Sequence, residues 1–500
     1  MSEKQVTNPP NEQNEMKRGI RGWQVAFIGL GGVIGSCYFL GMGIVIHDMG
    51  PAVFIAFGIV GLIVYGLMIA YAELLVNVPR KGSFIAYTSE FLGPTISTGF
   101  GWAFWFNWVC YVPSEAIAVS TVVTALVNQS DNAVAYVAIA IGALAAITII
   151  NLSAVNVFAK IESGLAITKC IVIILFILMA FGIWVGLWGS DGFLGANVNF
   201  NTGAGFAHDL FPNGVGICIT SMVVVLVTFQ GTEIVGLTAA EAQDPDKSVP
   251  KACKSVTYRI VALYMVPILL VLLIYPYGLA NDSNAVFSDI MYYYHMPALG
   301  KIFGAIVLVA AFSCANTGFY GTVRAMYGLS IEGLAPKFLG RLKKDGNPKN
   351  AVLFTLAFMW IILLVGLYTQ VTGKMENLYA NLLSMSGFTG TLAWIGIIAS
   401  WMVFRKKFVK RGYNINNLRA RVRPGQMWIP PFAMVAQIAC LILMAFGEGM
   451  LPVFILACCA IFVPMIVRMI GLRSGHARDV NALETDEKTF DELYPPKDNQ

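Results

Sequence analysis

A chain of 500 residues with 57% hydrophobic and 12% charged side chains, and a mean hydropathy of +0.69, has too little polar surface to be a soluble globule. It reads as an all-α, polytopic membrane protein. The formal net charge of +5 is a consequence of where Lys and Arg lie relative to the spans, so no nucleic-acid partner is expected.

Residues 1–20 are polar and carry no apolar core followed by a small-residue cleavage site. They are expected to form a cytoplasmic tail, with the first span acting as its own insertion signal. Apolar stretches long enough to cross a bilayer lie near 22–47, 52–76, 95–127, 134–152, 160–188, 214–241, 255–279, 299–330, 351–369, 374–404, 430–446 and 451–470, about twelve in all. Of the 33 Lys and Arg, all but Lys169, Lys301 and Lys374 fall on one side of an alternating count. That bias predicts a multi-pass protein of the cell (cytoplasmic) membrane with both termini in the cytoplasm. The basic stretch from Arg405 to Arg423 reads chiefly as a topology determinant and can also touch anionic membrane lipid. The tail from Arg473 to Gln500 is short, polar and acidic toward its end, and is expected to be disordered.

Two spans are interrupted at mid-depth. The first breaks at Gly29-Leu30-Gly31-Gly32-Val33-Ile34-Gly35-Ser36, the sixth at Phe229-Gln230-Gly231-Thr232-Glu233. An unwound segment in hydrocarbon must have its backbone groups met by protein, water or ligand, and paired breaks in corresponding halves point to a transport site. Gly31 and Gly35, spaced as GxxxG, also suit a close-packed helix face. Ser36, Gln230, Thr232 and Glu233 at comparable depth favour a site.

The first glycine run is no dinucleotide loop, because Ile34 stands where the third glycine belongs, and the chain has no GxxxxGK[ST] phosphate loop. The nine cysteines give no disulfide framework; eight lie in spans and Cys253 is expected in a loop. The four histidines are scattered without metal-ligand spacing, so no metal and no cofactor are expected, nor is an enzyme, since no nucleophile–base pair is visible. Glu115, Glu233 and Lys169 sit deep in spans and need a cavity or a partner. Glu73, Glu162 and Glu241 lie near span ends, where interfacial water is expected to reach them.

Four blocks occur in order: Leu30-Gly31-Gly32-Val33-Ile34-Gly35-Ser36 with Phe39-Leu40-Gly41; Pro79-Arg80-Lys81-Gly82-Ser83-Phe84 running on to Pro113-Ser114-Glu115; Phe229-Gln230-Gly231-Thr232-Glu233 with Glu241-Ala242-Gln243-Asp244-Pro245; and Asn316-Thr317-Gly318 with Glu332-Gly333-Leu334-Ala335-Pro336. With them the chain resembles the amino acid-polyamine-organocation (APC) superfamily, in its bacterial amino acid permease branch. The resemblance implies a LeuT-like fold of two inverted five-span repeats, 21–188 and 214–404, with spans 1 and 6 discontinuous. Residues 405–472 then hold the basic loop and two extra spans, and 473–500 a cytoplasmic tail.

On that resemblance an amino acid lies between the two breaks. Free N–H groups at Gly35, Ser36 and Cys37 would take its carboxylate, and carbonyls near Gly32, Val33, Thr228 and Phe229 its ammonium, with Ile34 also among the substrate-binding candidates. Gln230, Gly231, Thr232 and Glu233 complete the second break, and Phe229 would gate the site. Glu115, Ser313, Asn316 and Ser386 are candidates for the side-chain pocket, and Glu115 can instead bond the broken spans or share a proton with Lys169. Lys169 falls where related permeases carry a fifth-span lysine, which implies that its ammonium ties spans 1 and 5 and couples transport to protons. Cys37 replaces a usual glycine and is expected to narrow the carboxylate pocket. The implied function is proton-coupled amino acid symport by alternating access; an exchanger, or a nutrient sensor that binds without transporting, are the alternatives.

Overall fold

The computed structural model describes residues 20–80, 82–129, 131–152, 155–187, 199, 206–238, 243, 245–280, 285–343, 346–374, 378–447, 450–474 and 488–496. Among them the chain is helical throughout, with no strand. The first span consists of α1 (Gly22–Val33), a π-helical turn at Cys37–Gly41, and α2 (Met42–Met49), its two halves bent by 47° at Ile34 to Ser36. Then come α3 (Ala52–Asn77), the short α4 (Ser83–Leu92), α5 (Pro94–Leu126), α6 (Ala133–Asn151) and α7 (Val155–Trp184). A single turn, α8 (Phe206–Leu210), leads into α9 (Val215–Thr228), which stops before α10 (Ile234–Leu237). The remainder is α11 (Pro245–Ile274), α12 (Val286–Tyr293), α13 (Pro297–Ile331), α14 (Lys349–Val371), α15 (Leu378–Lys410), α16 (Ile429–Ala445), α17 (Leu451–Arg473) and α18 (Phe490–Leu493). Among the described residues ten helices are long and apolar enough to cross a membrane, the bent first span makes eleven, and α11 adds the apolar stretch Val261–Ile274.

α5 is the hub of the bundle, packed between α13 and α15. Its bulky side chains are met by small ones: a Cβ at Gly318 of α13 would run into the Trp108 ring, and the Trp105 indole donates to Thr355 Oγ1 of α14 at 3.1 Å. α1 packs against α7, α11 and α13, so the first break faces three other spans. α17 lies at the periphery, with Phe462, Val463, Ile466, Val467 and Ile470 exposed. Such an apolar outer surface is stable against lipid tails and not against water.

Four expectations are corrected. Glu162 is fully buried, because α7 begins at Val155 and places it about 10 Å inside the helix at 1.5 Å per residue. Glu73 is buried too: Arg405 Nη2 lies 2.6 Å from its Oε2, and Val422 N–H donates to the same oxygen at 2.6 Å, as the loop after α15 folds over the end of α3. Cys253 is buried within α11. The tail is ordered over 488–496. The N-terminal tail before Ile20, Glu241 and the acidic run Glu484, Asp486 and Glu487 lie outside the described residues.

The ordered tail docks where α3, α4 and α15 end together. Phe490 is buried against Phe91 and Phe404, at centroid distances of 5.6 and 5.7 Å, with the Arg411 guanidinium 4.6 Å from its ring. Tyr494 donates to Asn77 O at 2.9 Å and Arg411 Nη1 to Tyr494 O at 2.7 Å. The α18 cap is reciprocal: Thr489 accepts from Glu492 N–H while the Thr489 backbone N–H and hydroxyl hold the Glu492 carboxyl below its usual value. A carboxylate held that way keeps its cap above the ordinary carboxylate range and loses it only as pH falls below.

Removing the anchoring ring tests this docking. Phe490→Ala is expected to remove about 3–5 kcal/mol of packing. Hydrogen exchange of 488–496 should then accelerate while that of α5 and α13 stays unchanged.

Candidate functional site

The two breaks meet in the middle of the bundle. Gly231 has φ +104°, a conformation that side chains rarely adopt, and its Cα lies so close to Gly32 that a Cβ would overlap the Gly32 carbonyl. Backbone touches backbone here, which accounts for glycine at 231, while a Cβ at Gly32 would run into the Thr317 methyl of α13. Gly31 and Gly35 are tight for a different reason. A Cβ at Gly31 would overlap Glu162 Oε1, and one at Gly35 would overlap Glu115 Oε1 and lie 2.7 Å from Cys314 Sγ. The GxxxG spacing thus serves both readings, since its small face admits α13 and two carboxylates at once.

Lys169 lies fully buried on α7 and donates from Nζ to Gly31 O and Ile34 O, both at 2.7 Å. These carbonyls end α1 and have no further turn of helix to bond. Glu162 stands seven residues earlier on α7, two turns away and therefore on the same face. It accepts from the Ser313 hydroxyl and from Asn316 Nδ2 at 3.3 Å, while Asn316 Oδ1 accepts from Asn151 Nδ2 at 2.7 Å. Ser313 and Asn316 are thereby held on a buried carboxylate that the sequence reading had placed in interfacial water.

At the start of the half-helix after the first break, both oxygens of Glu115 accept from Ser36 N–H, at 3.2 and 3.1 Å. The Ser36 hydroxyl shares a hydrogen bond with Tyr379 at 3.0 Å. Cys37 turns away toward α9, its Sγ 3.7 Å from Val224 O. Cys314 Sγ lies 3.0 Å from Gly32 O.

The second break is closed from within. Glu233 accepts from Gly231 N–H at 3.0 Å and from the Trp394 indole at 2.9 Å, the Thr232 hydroxyl donates to Phe229 O at 3.3 Å, and the Thr228 hydroxyl donates back to Val225 O at 2.7 Å. Gln230 leaves this group for α15, where Ser386 Oγ lies 3.1 Å from its Oε1 and also reaches Asn107 Oδ1. Phe229 is buried between Phe57 and Tyr264, at 5.7 and 4.9 Å between centroids.

Val33 to Cys37, Glu115, Lys169, Ser313 and Asn316 therefore gather on the first break, and Thr228 to Glu233 with Ser386 on the second. Sequence reasoning missed Glu162, Cys314, Tyr379, Trp394 and above all Tyr264, whose hydroxyl reaches both breaks, 3.1 Å from Val33 O and 2.7 Å from Thr228 O. The available signal was a tyrosine inside an apolar run, Leu263-Tyr264-Met265, since a buried phenol needs a partner.

Residues 24–472 match the family model for amino acid permeases. The chain belongs to the amino acid permease family. It is 34% identical over 414 residues to the amino-acid permease RocC of Bacillus subtilis, covering 82% of this chain and 85% of the relative. It is 30% identical over 452 residues to the lysine-specific permease LysP of Lactococcus lactis, covering 88% and 85%, and 30% identical over 442 residues to the gamma-aminobutyric acid permease of Bacillus subtilis, covering 88% and 90%. Family membership makes the chain an amino acid transporter, not an enzyme, and assigns its broken helices to a multi-pass membrane fold.

The permease's central contact can be tested by adding one methyl group. Gly231→Ala is expected to cost about 1–3 kcal/mol from backbone conformation alone, with the overlap on Gly32 added, and to lower the unfolding temperature in detergent. Gly164→Ala on α7, where a Cβ meets open space, should be neutral or slightly stabilising.

Proposed function

We propose that this permease moves an amino acid across the cytoplasmic membrane by proton-coupled symport, alternating the access of one central site, with both termini in the cytoplasm. The observation that carries this reading is the opposite polarity of the two ends of the first break. Val33 and Gly32 present carbonyls and Ser36 an N–H, so a zwitterion finds an acceptor for its ammonium and a donor for its carboxylate within one turn. Thr228 and Phe229 add carbonyls from the second break. Gln230, Ser386 and Asn107 stand beside it on α15 and α5 as candidates for the substrate's side-chain pocket. Residues 21–188 and 214–404 act as the two inverted halves, each contributing one broken span.

Lys169 is the coupling residue of this reading. A buried ammonium on two freed carbonyls is stable while it is charged and hydrogen-bonded. Deprotonation weakens the tie between α7 and α1, which lets the first span move; the Glu162 carboxyl stands on the same face of α7. Two of the relatives named above are permeases for lysine and gamma-aminobutyric acid, and the chain is also similar to a histidine permease; these compounds differ in side chain or in the spacing of their charges and share an ammonium and a carboxylate.

Uptake of labelled lysine, histidine and gamma-aminobutyric acid into proteoliposomes, with and without an inward proton gradient and with sodium absent, decides the matter. Accumulation of one of them driven by the gradient is expected; uptake that requires amino acid inside would make the protein an exchanger, and binding without flux a sensor. Lys169→Ala should lose at least tenfold of the gradient-driven accumulation, and full retention would sink the coupling role.

A further inference from the structure

The groups freed by the two breaks already have occupants, and the protein supplies them. Tyr264, buried in α11, faces the last carbonyl of α1 and the last of α9 with one hydroxyl, 3.1 Å from Val33 O and 2.7 Å from Thr228 O. A phenol has one proton and can donate to one of these carbonyls at a time. Its ring is locked by stacking on Tyr38 at 4.3 Å and by the edge of Phe229 at 4.9 Å between centroids. At the other end the Glu115 carboxylate shares the single N–H of Ser36 between two oxygens. A donor on the carbonyls and a carboxylate on the N–H reproduce the two ends of an amino acid, in the polarity given to the substrate above.

We infer that the site is self-liganded: the Tyr264 hydroxyl stands in for the substrate's ammonium, the Glu115 carboxylate stands in for the substrate's carboxylate, and loading is an exchange of these internal ligands for the amino acid. The inference rests on the substrate placement proposed in the preceding section. Chemistry favours the exchange at the positive end, because an ammonium has three N–H donors and satisfies both carbonyls together, whereas the phenol serves one. At the negative end two ionised carboxylates cannot share one N–H in a site closed to water. Glu115 therefore takes a proton from the aqueous side by which the substrate enters, forming an O–H bond on the oxygen it withdraws from Ser36. The titratable groups that face Glu115 are Cys37 after the first break, Tyr111 on α5, Lys169 on α7, Cys314 on α13 and Tyr379 on α15. Of these, Lys169 brings positive charge, and it is held by its hydrogen bonds to Gly31 O and Ile34 O. Tyr264 is on this account a positioning residue that competes with the substrate.

The test uses the full-length protein in nanodiscs with lysine, histidine and gamma-aminobutyric acid as probes, following Kd, proton uptake in weak buffer, and unfolding temperature with and without probe. Tyr264→Phe removes the competitor, so Kd is expected to fall about threefold to tenfold, the worth of one ordinary hydrogen bond. The unliganded protein should melt earlier and gain a larger shift on binding; a purely structural tyrosine would lower both melting points together and leave Kd alone. Glu115→Gln should abolish the proton uptake that accompanies binding in the unaltered protein and flatten the pH dependence of Kd. Unchanged or weaker binding by Tyr264→Phe overturns the inference, as does binding by the unaltered protein without proton uptake, which needs no variant to fold. Should the unaltered protein bind none of the probes and transport no amino acid, it is the substrate placement itself that fails.

Discussion

An unwound helix inside a membrane leaves backbone donors and acceptors that water cannot reach, and the centre of this protein is organised around meeting them. The first break exposes the carbonyls of Gly31, Gly32, Val33 and Ile34 and the N–H of Ser36, and four other helices meet them: Lys169 on α7 meets Gly31 and Ile34, Cys314 on α13 meets Gly32, Tyr264 on α11 meets Val33 and Glu115 on α5 meets Ser36. Four spans are therefore registered on one non-helical turn. The second break is met more locally, by Glu233 and Thr232 of its own segment, with Trp394 and Tyr264 as the outside contacts. The difference leaves the first span as the part whose backbone groups rest on side chains from other helices.

That dependence explains the glycines better than flexibility does. Gly31, Gly32 and Gly35 admit a carboxylate, Thr317 of α13, and a second carboxylate with Cys314, while Gly231 admits the first break itself. A methyl group at Gly35 would push Glu115 off the Ser36 N–H and Cys314 off the Gly32 carbonyl, one at Gly31 would displace the Glu162 carboxylate, one at Gly32 would meet the Thr317 side chain, and one at Gly231 the Gly32 carbonyl. Packing and polar satisfaction are one constraint at this place, so a sequence motif for close helix approach and a motif for a binding site coincide.

Away from the breaks, polar groups serve the ends of the bundle. Glu73 joins the end of α3 to Arg405 of α15 and to Val422 in the loop after it, and the docked tail ties α3, α4 and α15 through Tyr494, Arg411 and Phe490. These ties lie far along the chain from one another, as Arg405 does from Glu73. A tail that looks merely polar in the sequence contains two aromatic residues, Phe490 and Tyr494, and these are what hold it to the bundle.

The approximate span number and both breaks were legible in the sequence because each is a local property: hydrocarbon thickness sets the length of an apolar run, and glycine with polar residues at mid-depth marks unwinding; span limits were less so, since α7 and α11 begin at Val155 and Pro245, ahead of their apolar runs. The family blocks and the deep positions of Glu115, Glu233 and Lys169 were legible for the same reason. Which partner each of these residues takes was decided by tertiary structure. Glu162 changed from a span-end residue to a buried one when α7 began at Val155, and Glu73 did so when a loop more than 300 residues later in the chain closed over it. Tyr264 is one tyrosine in an apolar run until the fold brings the ends of α1 and α9 within reach of one hydroxyl. Periodicity and composition record how a segment meets its solvent, whereas a hydrogen bond between distant segments exists only once the helices between them have packed.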